Sequence, residues 1–238
     1  MPSTLTVMGV HGLGDHRLSP WAKEWETALR GVLGPQGADG LEFVPFTYDD
    51  IFESVSISPT ESLSALWKLG RSGIGSLRAP RRMGQRGLGD SVMHWLKWYA
   101  GYVVAWGEKD DFKKAAREKF LKAVDAARPD VILAHSLGSL ISYEAIAGMG
   151  TAKNVGLRDH LRNTTFVTLG SQIGNPFVAG NLPTGRVAPV DAKFWYHLYN
   201  SEDDVFTSEI RLPGTQNFEQ IDTYFDIEGM ADHDATEY

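Results

Sequence analysis

The sequence predicts an α/β fold, in which a mostly parallel sheet of six strands carries helices on both faces. Short apolar runs alternate along the chain with amphipathic helical segments, which is the pattern of strand-helix-strand units. Most of the runs are apolar throughout, as in strands that are buried on both sides. The chain has 238 residues, of which 42% are hydrophobic, and this is enough for one sizeable core. We therefore expect residues 1–238 to form a single domain.

The first part of the chain supplies two strands and the helix between them. Leu5 to Val10 is a short apolar run and predicts the first strand. Ser19 is the expected N-cap of a helix that stops at Gly34. Glu42 to Tyr48 predicts the second strand, and Pro45 within it favours an edge position or a bulge, because proline cannot donate a ladder hydrogen bond.

The later part of the chain continues the alternation. Asp110 to Arg128 has its apolar residues on one helical face and leads directly into a third strand, Asp130 to Ala134. A further helix begins after Ser136 and ends near Gly148, where glycine commonly closes a helix. Three more strands are predicted at Thr164 to Leu169, at Phe194 to Tyr199 and, from period-two alternation, at Phe218 to Ile227.

One connection is longer than the fold needs. About 80 residues separate the second strand from the third, whereas a whole strand-helix-strand unit takes about 30. We predict that about 50–109 form a partly helical cap or lid. Within it, Trp95, Tyr99, Tyr102 and Trp106 share one helical face, which is typical of packing and also of an apolar wall over the sheet. The basic stretch 68–86 is either a solvated loop or a surface for membrane contact.

Composition excludes several classes of function. The chain has 23 Lys and Arg against 30 Asp and Glu, with a formal net charge of -7, so we expect no nucleic-acid partner. It has no cysteine, which excludes disulfides, thiolate metal sites and a cysteine nucleophile, and is compatible with a cytoplasmic location. No signal peptide is recognised, and the longest mainly apolar segment, Val92 to Trp106, is too short and too polar for a transmembrane helix.

Ser136 is the first candidate for chemistry. It stands in Ala134-His135-Ser136-Leu137-Gly138, where the third strand gives way to a helix. A nucleophilic serine on a sharp strand-to-helix turn needs small residues two positions to either side, since larger side chains would collide with neighbouring backbone. Ala134 and Gly138 meet this requirement. The pattern makes Ser136 a candidate nucleophile, and the alternative is a serine that merely caps the helix.

The end of the first strand carries His11-Gly12-Leu13-Gly14, a second candidate segment. In acyl transfer the carbonyl oxygen of the substrate becomes an anion, which backbone amides can stabilise. The amide of Leu13 is one candidate donor, and the amide of Leu137, next to the serine, is the other. A simple glycine turn is the alternative. A phosphate loop is not indicated, because the sequence has no G-x-x-x-x-G-K-[ST] motif and its glycine spacing does not match the dinucleotide-binding fingerprint.

A carboxylate and a histidine follow in the remaining sequence. Asp203 and Asp204 stand in a turn directly after the fifth strand, and we favour Asp203 because Val205 can then return to the core. Of the seven histidines, only His233 comes after this turn. Histidine is the side chain best suited to exchange protons near neutral pH. A solvated acidic turn and a surface histidine are the alternatives at these positions.

In this combination the sequence resembles the α/β-hydrolase superfamily, in particular its minimal serine esterases and lipases, whose sheet begins with the strand that carries the oxyanion loop. The resemblance covers nearly the whole chain apart from the insertion. It implies that Ser136 is the nucleophile, His233 the general base and acid, and Asp203 the orienting acid. It also implies that Leu13 and Leu137 are the oxyanion donors.

Substrate contacts are expected around this site. The loop after the fourth strand, which includes Ser171, resembles a family loop that often lies beside the pocket, although Ser171 could equally cap a helix. We also predict contacts from His11 at the end of the first strand and from Trp95 and Tyr102 in the insertion. The link from Asp203 to Phe218 departs from the family pattern, because it is too short for a long crossover helix.

The expected activity is hydrolysis of a carboxylic ester through a covalent acyl-enzyme on Ser136. The substrate is then a small-molecule ester, with an apolar acyl group if the aromatic face of the insertion binds it. No metal and no organic cofactor are needed for this chemistry. Thioesterase, amidase and acyltransferase activities would use the same residues, and a non-catalytic binding protein with the same fold is the alternative from a different class.

Overall fold

The computed structural model describes residues 4–12, 16, 19–52, 103, 106, 110–148, 154–201, 207–225 and 233–238. Within these residues the chain forms one sheet of six strands, and every neighbouring pair is parallel. The order across the sheet is β2-β1-β3-β4-β5-β6. The strands are β1 (Leu5–Val10), β2 (Leu41–Phe46), β3 (Val131–His135), β4 (Thr165–Leu169), β5 (Phe194–Tyr199) and β6 (Phe218–Asp222). The predicted α/β class and the six strands are confirmed, with β2 at an edge as Pro45 indicated.

Helices alternate with the strands and lie on both faces of the sheet. The ring of Trp21 lies 6.4 Å from that of Phe43 on one face, and the ring of Phe120 lies 5.5 Å from that of Phe46 on the other. Residues an odd number of positions apart in a strand point to opposite faces, so the helices that carry Trp21 and Phe120 flank the sheet. The helices are α1 (Trp21–Ala38), α2 (Asp49–Phe52), α3 (Asp110–Ala127), α4 (Ser136–Ala147), α5 (Val155–Leu161) and α6 (Pro176–Gly180).

The core lies between the sheet and the face that carries α3 and α4. Ile132, Phe166 and Trp195 are in register on three adjacent strands and are buried there. Helix α4 is buried on all sides from Ser136 to Ile146, as expected for a helix that is apolar or small around its circumference. Each large apolar side chain removed from water contributes about 1.5–3 kcal/mol, so this packing fixes where β3 ends and α4 begins.

Both predicted ends of α1 are wrong for identifiable reasons. Pro20, rather than Ser19, is the N-cap of α1, and it makes no side-chain cap hydrogen bond. The helical segment also continues to Ala38, because the chain only kinks at Gly34, whose φ is 67°. Pro35 then suits the first turn of the second piece, where its missing N–H has no helical partner to lose.

Strand β6 ends at Asp222, five residues before the predicted end. Tyr224 adopts a left-handed φ of 46°, and its N–H donates to the carboxylate of Asp222 at 3.2 Å. This aspartate turn interrupts the period-two pattern that the sequence suggests. Between Thr207 and Asn217 the described chain contains no helix, in line with the short link that the sequence shows before β6.

Most of the predicted insertion, including Trp95, Tyr99, Tyr102 and the basic stretch 68–86, lies outside the described residues. Of the insertion, residues 50–52, which belong to α2, and residues 103 and 106 are described; Val103 and Trp106 are buried and belong to the main core. The ammonium nitrogen of Lys113 lies 5.4 Å from the centre of the Trp106 ring, which is a cation–π distance. Trp106 therefore packs against α3. None of the helices in the described ranges has the length and apolar character that a membrane span requires.

Candidate active site

The turn between β3 and α4 holds Ser136 in an unusual conformation. Its φ is 54°, in the left-handed region that L-residues other than glycine rarely adopt, and its side chain is buried. Such a conformation costs roughly 1–2 kcal/mol and persists only where the surroundings enforce it. Here β3 pairs with strands on both sides and α4 begins at the next residue, so the backbone of the turn cannot relax to an ordinary conformation. This is the strained backbone geometry expected of a sharp strand-to-helix turn that carries a nucleophilic serine.

Close backbone contacts explain the glycines near this turn. A methyl group placed on Gly138 would lie 2.2 Å from the carbonyl oxygen of His11 and 2.8 Å from that of Val10. One placed on Gly12 would lie 2.9 Å from Cβ of Ser136. All three distances are shorter than real contacts between such atoms, so no side chain fits at either glycine. The loop after β1 therefore packs directly on Ser136 and on the first turn of α4.

The structure brings Ser136 and His233 together. Nε2 of His233 lies 2.9 Å from Oγ of Ser136, which is hydrogen-bonding distance, and both side chains are buried. The imidazole packs against the end of β4 at Gly170, where φ is +52°. A methyl group on Gly170 would lie 3.1 Å from Cε1 of His233, so glycine leaves the space that the ring fills. Two of the three predicted triad side chains thus meet.

The predicted acids, Asp203 and Asp204, lie outside the described residues, but both flanks of their turn are described. The hydroxyl of Thr207 donates to the carbonyl of Asn200 at 2.8 Å, so the chain returns to the end of β5 after the turn. The amide of Ser208 then donates to the carbonyl of Ser171 at 3.4 Å. The turn therefore starts and finishes at the carboxyl end of β5, two strands away from β3.

Of the two predicted oxyanion donors, one is described. Leu137 is buried in the first turn of α4, directly after Ser136. Amides in the first turn of a helix have no carbonyl partner within the helix, and the helix dipole places partial positive charge there. This position suits the stabilisation of an anion next to Ser136. Leu13 lies outside the described residues, and its role stays a prediction.

His11 and Tyr48 support the loop after β1. The two rings stack with centres 4.4 Å apart, and Nδ1 of His11 lies 2.7 Å from the carbonyl oxygen of Gly12. The hydroxyl of Tyr48 donates to the carbonyls of His11 at 2.7 Å and Gly12 at 2.8 Å. Burial is the main cause that lowers the pKa of His11 to about 3, so its ring is neutral at ordinary pH. Contact between His11 and substrate stays a prediction.

A chain of buried hydroxyls lies behind the nucleophile. The hydroxyl of Ser139 donates to the carbonyl of Ser136, and its oxygen lies 2.6 Å from that of Ser171. The amide of Ile173 donates to Ser171 at 3.2 Å. Hydrogen bonds thus connect the loop after β4 with the strained residue. Ser171 caps no helix, since α6 begins at Pro176, and the predicted contact of Ser171 with substrate remains a prediction.

Sequence reasoning missed three residues of this site: Tyr48, Ser139 and Gly170. Tyr48 follows an apolar strand, and a buried tyrosine there needs a partner for its hydroxyl. Ser139 stands one helical turn after Ser136, a spacing that brings two side chains onto the same face. Gly170 directly follows β4, the strand next to the nucleophile. In each case the signal is present in the sequence but becomes specific only once the partner is known.

His135 is the nearest aromatic neighbour of the candidate base among the described rings. The centres of the His135 and His233 rings are 4.7 Å apart. Burial is the largest cause that holds the pKa of His135 well below its usual range, and the neighbouring His233 lowers it further. The charged form of the His135 ring is therefore disfavoured.

No group of three or more His, Asp or Glu residues in the described ranges is arranged to hold a metal ion. Comparison of the chain with protein-family models, with curated proteins and with solved structures found no match.

Proposed function

We propose that the chain is a serine hydrolase of the α/β-hydrolase type that cleaves carboxylic esters. The observation that carries this proposal is the 2.9 Å approach of His233 Nε2 to Ser136 Oγ. Three features support it: the left-handed conformation of Ser136, its position at the carboxyl end of a central parallel strand, and the burial of both side chains. Ligands of open α/β sheets bind at that edge.

The reaction follows from the pair of side chains. Oγ of Ser136 attacks the ester carbonyl carbon while its proton passes to Nε2 of His233, and the carbonyl oxygen becomes an oxyanion. The intermediate collapses, the bond to the alcohol oxygen breaks, and His233 returns the proton to that oxygen. A water molecule then gives a proton to His233 and attacks the acyl-enzyme, which releases the acid and restores the hydroxyl of Ser136.

Electrostatic support comes from the ends of the elements around the serine. In this proposal the amide of Leu137 and the amide of Leu13 donate to the oxyanion; losing one such donor typically lowers kcat by about 100-fold to 1000-fold. Asp203, or Asp204 in its place, orients His233 from the turn after β5. The flanks of that turn, Asn200 and Thr207, meet at the correct edge of the sheet for this role.

A second part of the proposal concerns the acyl group of the substrate. We propose that the cap at about 50–109 places Trp95 and Tyr102 over the carboxyl ends of the strands as an apolar wall. A small-molecule ester with an apolar acyl chain fits such a wall, and the basic stretch 68–86 could then meet a membrane surface. Thioester, amide and acyl-transfer chemistry would use the same residues, and a cytoplasmic location agrees with the absence of cysteine.

Labelling with a fluorophosphonate probe tests the proposal. We expect the parent protein to become labelled at Ser136 and to hydrolyse p-nitrophenyl esters, with rates that rise with acyl length if the cap binds the chain. Ser136→Ala should abolish both signals, and His233→Gln should lower them by about 1000-fold or more. Ser142→Ala is the matched control, because it removes another buried hydroxyl of α4. A folded parent that neither labels nor turns over would instead indicate a binding protein.

A further inference from the structure

Tyr48 has no part in the reaction described above, yet its hydroxyl serves the loop that packs on the nucleophile. The side chain is fully buried just beyond β2, and it belongs to the main core. Its hydroxyl donates to two consecutive carbonyl oxygens, those of His11 at 2.7 Å and Gly12 at 2.8 Å. Since a hydroxyl has one proton, the two carbonyls share it.

The direction of these carbonyls matters because of where the loop lies. A methyl group on Gly12 would approach Oγ of Ser136 to 3.3 Å, so the backbone of Gly12 borders the reacting atoms. Tyr48 lies inside the core, and it therefore holds both carbonyl oxygens toward the interior. In a trans peptide the N–H points opposite to the C=O, so the inward carbonyl of His11 directs the N–H of Gly12 away from the core.

The inward orientation of the two carbonyls affects how well the site can stabilise an oxyanion. The reaction creates negative charge on the substrate oxygen, and a carbonyl oxygen turned toward that charge would repel it, whereas an amide stabilises it. A buried carbonyl without a partner is unfavourable, so the bond to Tyr48 makes the inward orientation the stable one. Nδ1 of His11 adds a second contact to the Gly12 carbonyl, at 2.7 Å.

We propose that Tyr48 is a positioning residue of the hydrolase, which holds the carbonyls of His11 and Gly12 away from the developing oxyanion. This inference rests on the proposed function, since it assigns the hydroxyl a task in that reaction. In this role Tyr48 acts through the loop and not by its own contact with the substrate. Its effect should therefore appear in the transition state rather than in the binding of the ground-state ester.

Tyr48→Phe is the variant that tests this, and the chain offers a matched control. Tyr143 is also buried, and its hydroxyl also bonds to backbone, donating to the carbonyl of Ala188 at 3.0 Å and accepting from its amide at 2.8 Å. Tyr143→Phe removes the same atom from the same kind of environment, away from the candidate site. Kinetics on one p-nitrophenyl ester, the affinity for an alkyl boronic acid and thermal unfolding are measured for both variants.

For Tyr48→Phe we expect kcat to fall about 10-fold with KM within about twofold, and the boronic acid, which forms a tetrahedral adduct on the serine, to bind about 10-fold more weakly. For Tyr143→Phe, kcat, KM and the affinity for the boronic acid should each stay within about twofold of the parent. Equal losses in the two variants, or a change of KM alone, would overturn the inference.

If Tyr48→Phe does not fold, His11→Phe removes the second contact to Gly12 instead. A lower kcat at parental KM supports the inference, and a parental kcat overturns it.

The two levels of the proposal fail differently. A parent protein that is not labelled at Ser136 and shows no turnover removes the proposed function and this inference together. An active parent whose kcat and boronic acid affinity survive Tyr48→Phe removes this inference alone.

Discussion

Oγ of Ser136 lies 2.9 Å from Nε2 of His233, although 97 positions separate the two residues in the chain. The parallel sheet explains how they meet. Ser136 follows β3, His233 packs on the residue that follows β4, and these two strands are neighbours. Adjacent strands are about 4.8 Å apart, so side chains at their carboxyl ends are within reach of each other. The fold thus creates the contact that the proposed chemistry needs.

The left-handed conformation of Ser136 predicts an inverted order of stability for two variants. Ser136→Ala and Ser136→Gly both lose the hydroxyl and its bond to His233, so they differ only in backbone preference. Within a helix of ordinary conformation, a glycine variant is less stable than the alanine variant by about 0.5–1 kcal/mol. At φ 54° glycine escapes the strain, and we expect Ser136→Gly to be as stable as Ser136→Ala or more stable, by up to about 1 kcal/mol. Denaturant unfolding of the two variants measures the difference, and a clearly less stable glycine variant would contradict it.

The contact between α4 and the end of β1 predicts a strong effect at Gly138. A methyl group there would lie 2.2 Å from the carbonyl oxygen of His11, which is backbone and cannot rotate away. We expect Gly138→Ala to lose about 2 kcal/mol or more of unfolding free energy and most activity, because α4 must shift from the loop.

Gly148, which caps the C-terminus of α4, provides the control for this change. A methyl group there meets no atom of the described residues within 4 Å, and the φ of Gly148, -73°, is ordinary for any residue. Gly148→Ala should therefore be neutral or stabilising by up to about 1 kcal/mol, with parental activity. If both alanine variants behaved alike, the close approach of α4 to β1 would be wrong.

The buried hydroxyl chain predicts different effects of two serines on one helix. Ser139→Ala removes the hydroxyl that joins α4 to the loop after β4, through the carbonyl of Ser136 and the hydroxyl of Ser171, which we expect to cost about 1–3 kcal/mol of stability and to lower kcat about 10-fold. Ser142 donates only to the carbonyl of Gly138 at 2.7 Å, one turn earlier in the same helix, and that carbonyl also serves the helical ladder.

Ser142→Ala should therefore cost less than about 1 kcal/mol and keep kcat. Calorimetric unfolding and ester turnover of both variants test this pair. A kcat that drops equally in both would show that any loss of a hydroxyl in α4 disturbs the site, and would remove the specific role of Ser139.

The fold follows from the sequence because its signals are local. The runs Leu5 to Val10 and Phe194 to Tyr199 are apolar, short and bounded by turns, and the strands occupy those residues. Predicted boundaries fail where a single backbone angle decides them, as at Gly34 in α1 and Tyr224 after β6. Side-chain pattern carries no information about such angles at Tyr224, since tyrosine is a common strand residue.

The candidate site likewise contains residues that can be predicted from the sequence and residues that cannot. Ser136 and His233 can be proposed from chain order and flanking small residues, because these are constraints that the chemistry imposes on the sequence. The support from Tyr48 and Ser139 cannot, because it depends on which backbone atoms face those hydroxyls after folding. Hydroxyls bond to many kinds of partner, so residue type alone does not select one.

A buried histidine in β5 predicts how stability depends on pH. His197 is fully buried between two partners: Nδ1 lies 2.9 Å from the hydroxyl oxygen of Thr168, and Nε2 lies 3.0 Å from the carbonyl oxygen of Ser208. Burial is the main cause that lowers the pKa of His197 from 6.5 to about 4, opposed by the bond to Ser208. The unfolded chain therefore binds a proton near pH 6.5, whereas the folded protein binds it only near pH 4.

Because the unfolded state gains the proton first, the free energy of unfolding should fall as the pH drops from about 6.5 toward 4. His197 alone accounts for about 2 kcal/mol between pH 7 and pH 5, at about 1.4 kcal/mol per pH unit below 6.5. In His197→Gln the loss over this range should be smaller by about that amount, even if the variant is less stable at pH 7 because its hydrogen bonds are poorer. Thr168→Val, which disturbs the same network but keeps the imidazole, should retain most of the parental pH dependence. Denaturant titrations at the two pH values distinguish these outcomes, and an unchanged pH dependence in His197→Gln would mean that this imidazole is not held neutral by the fold.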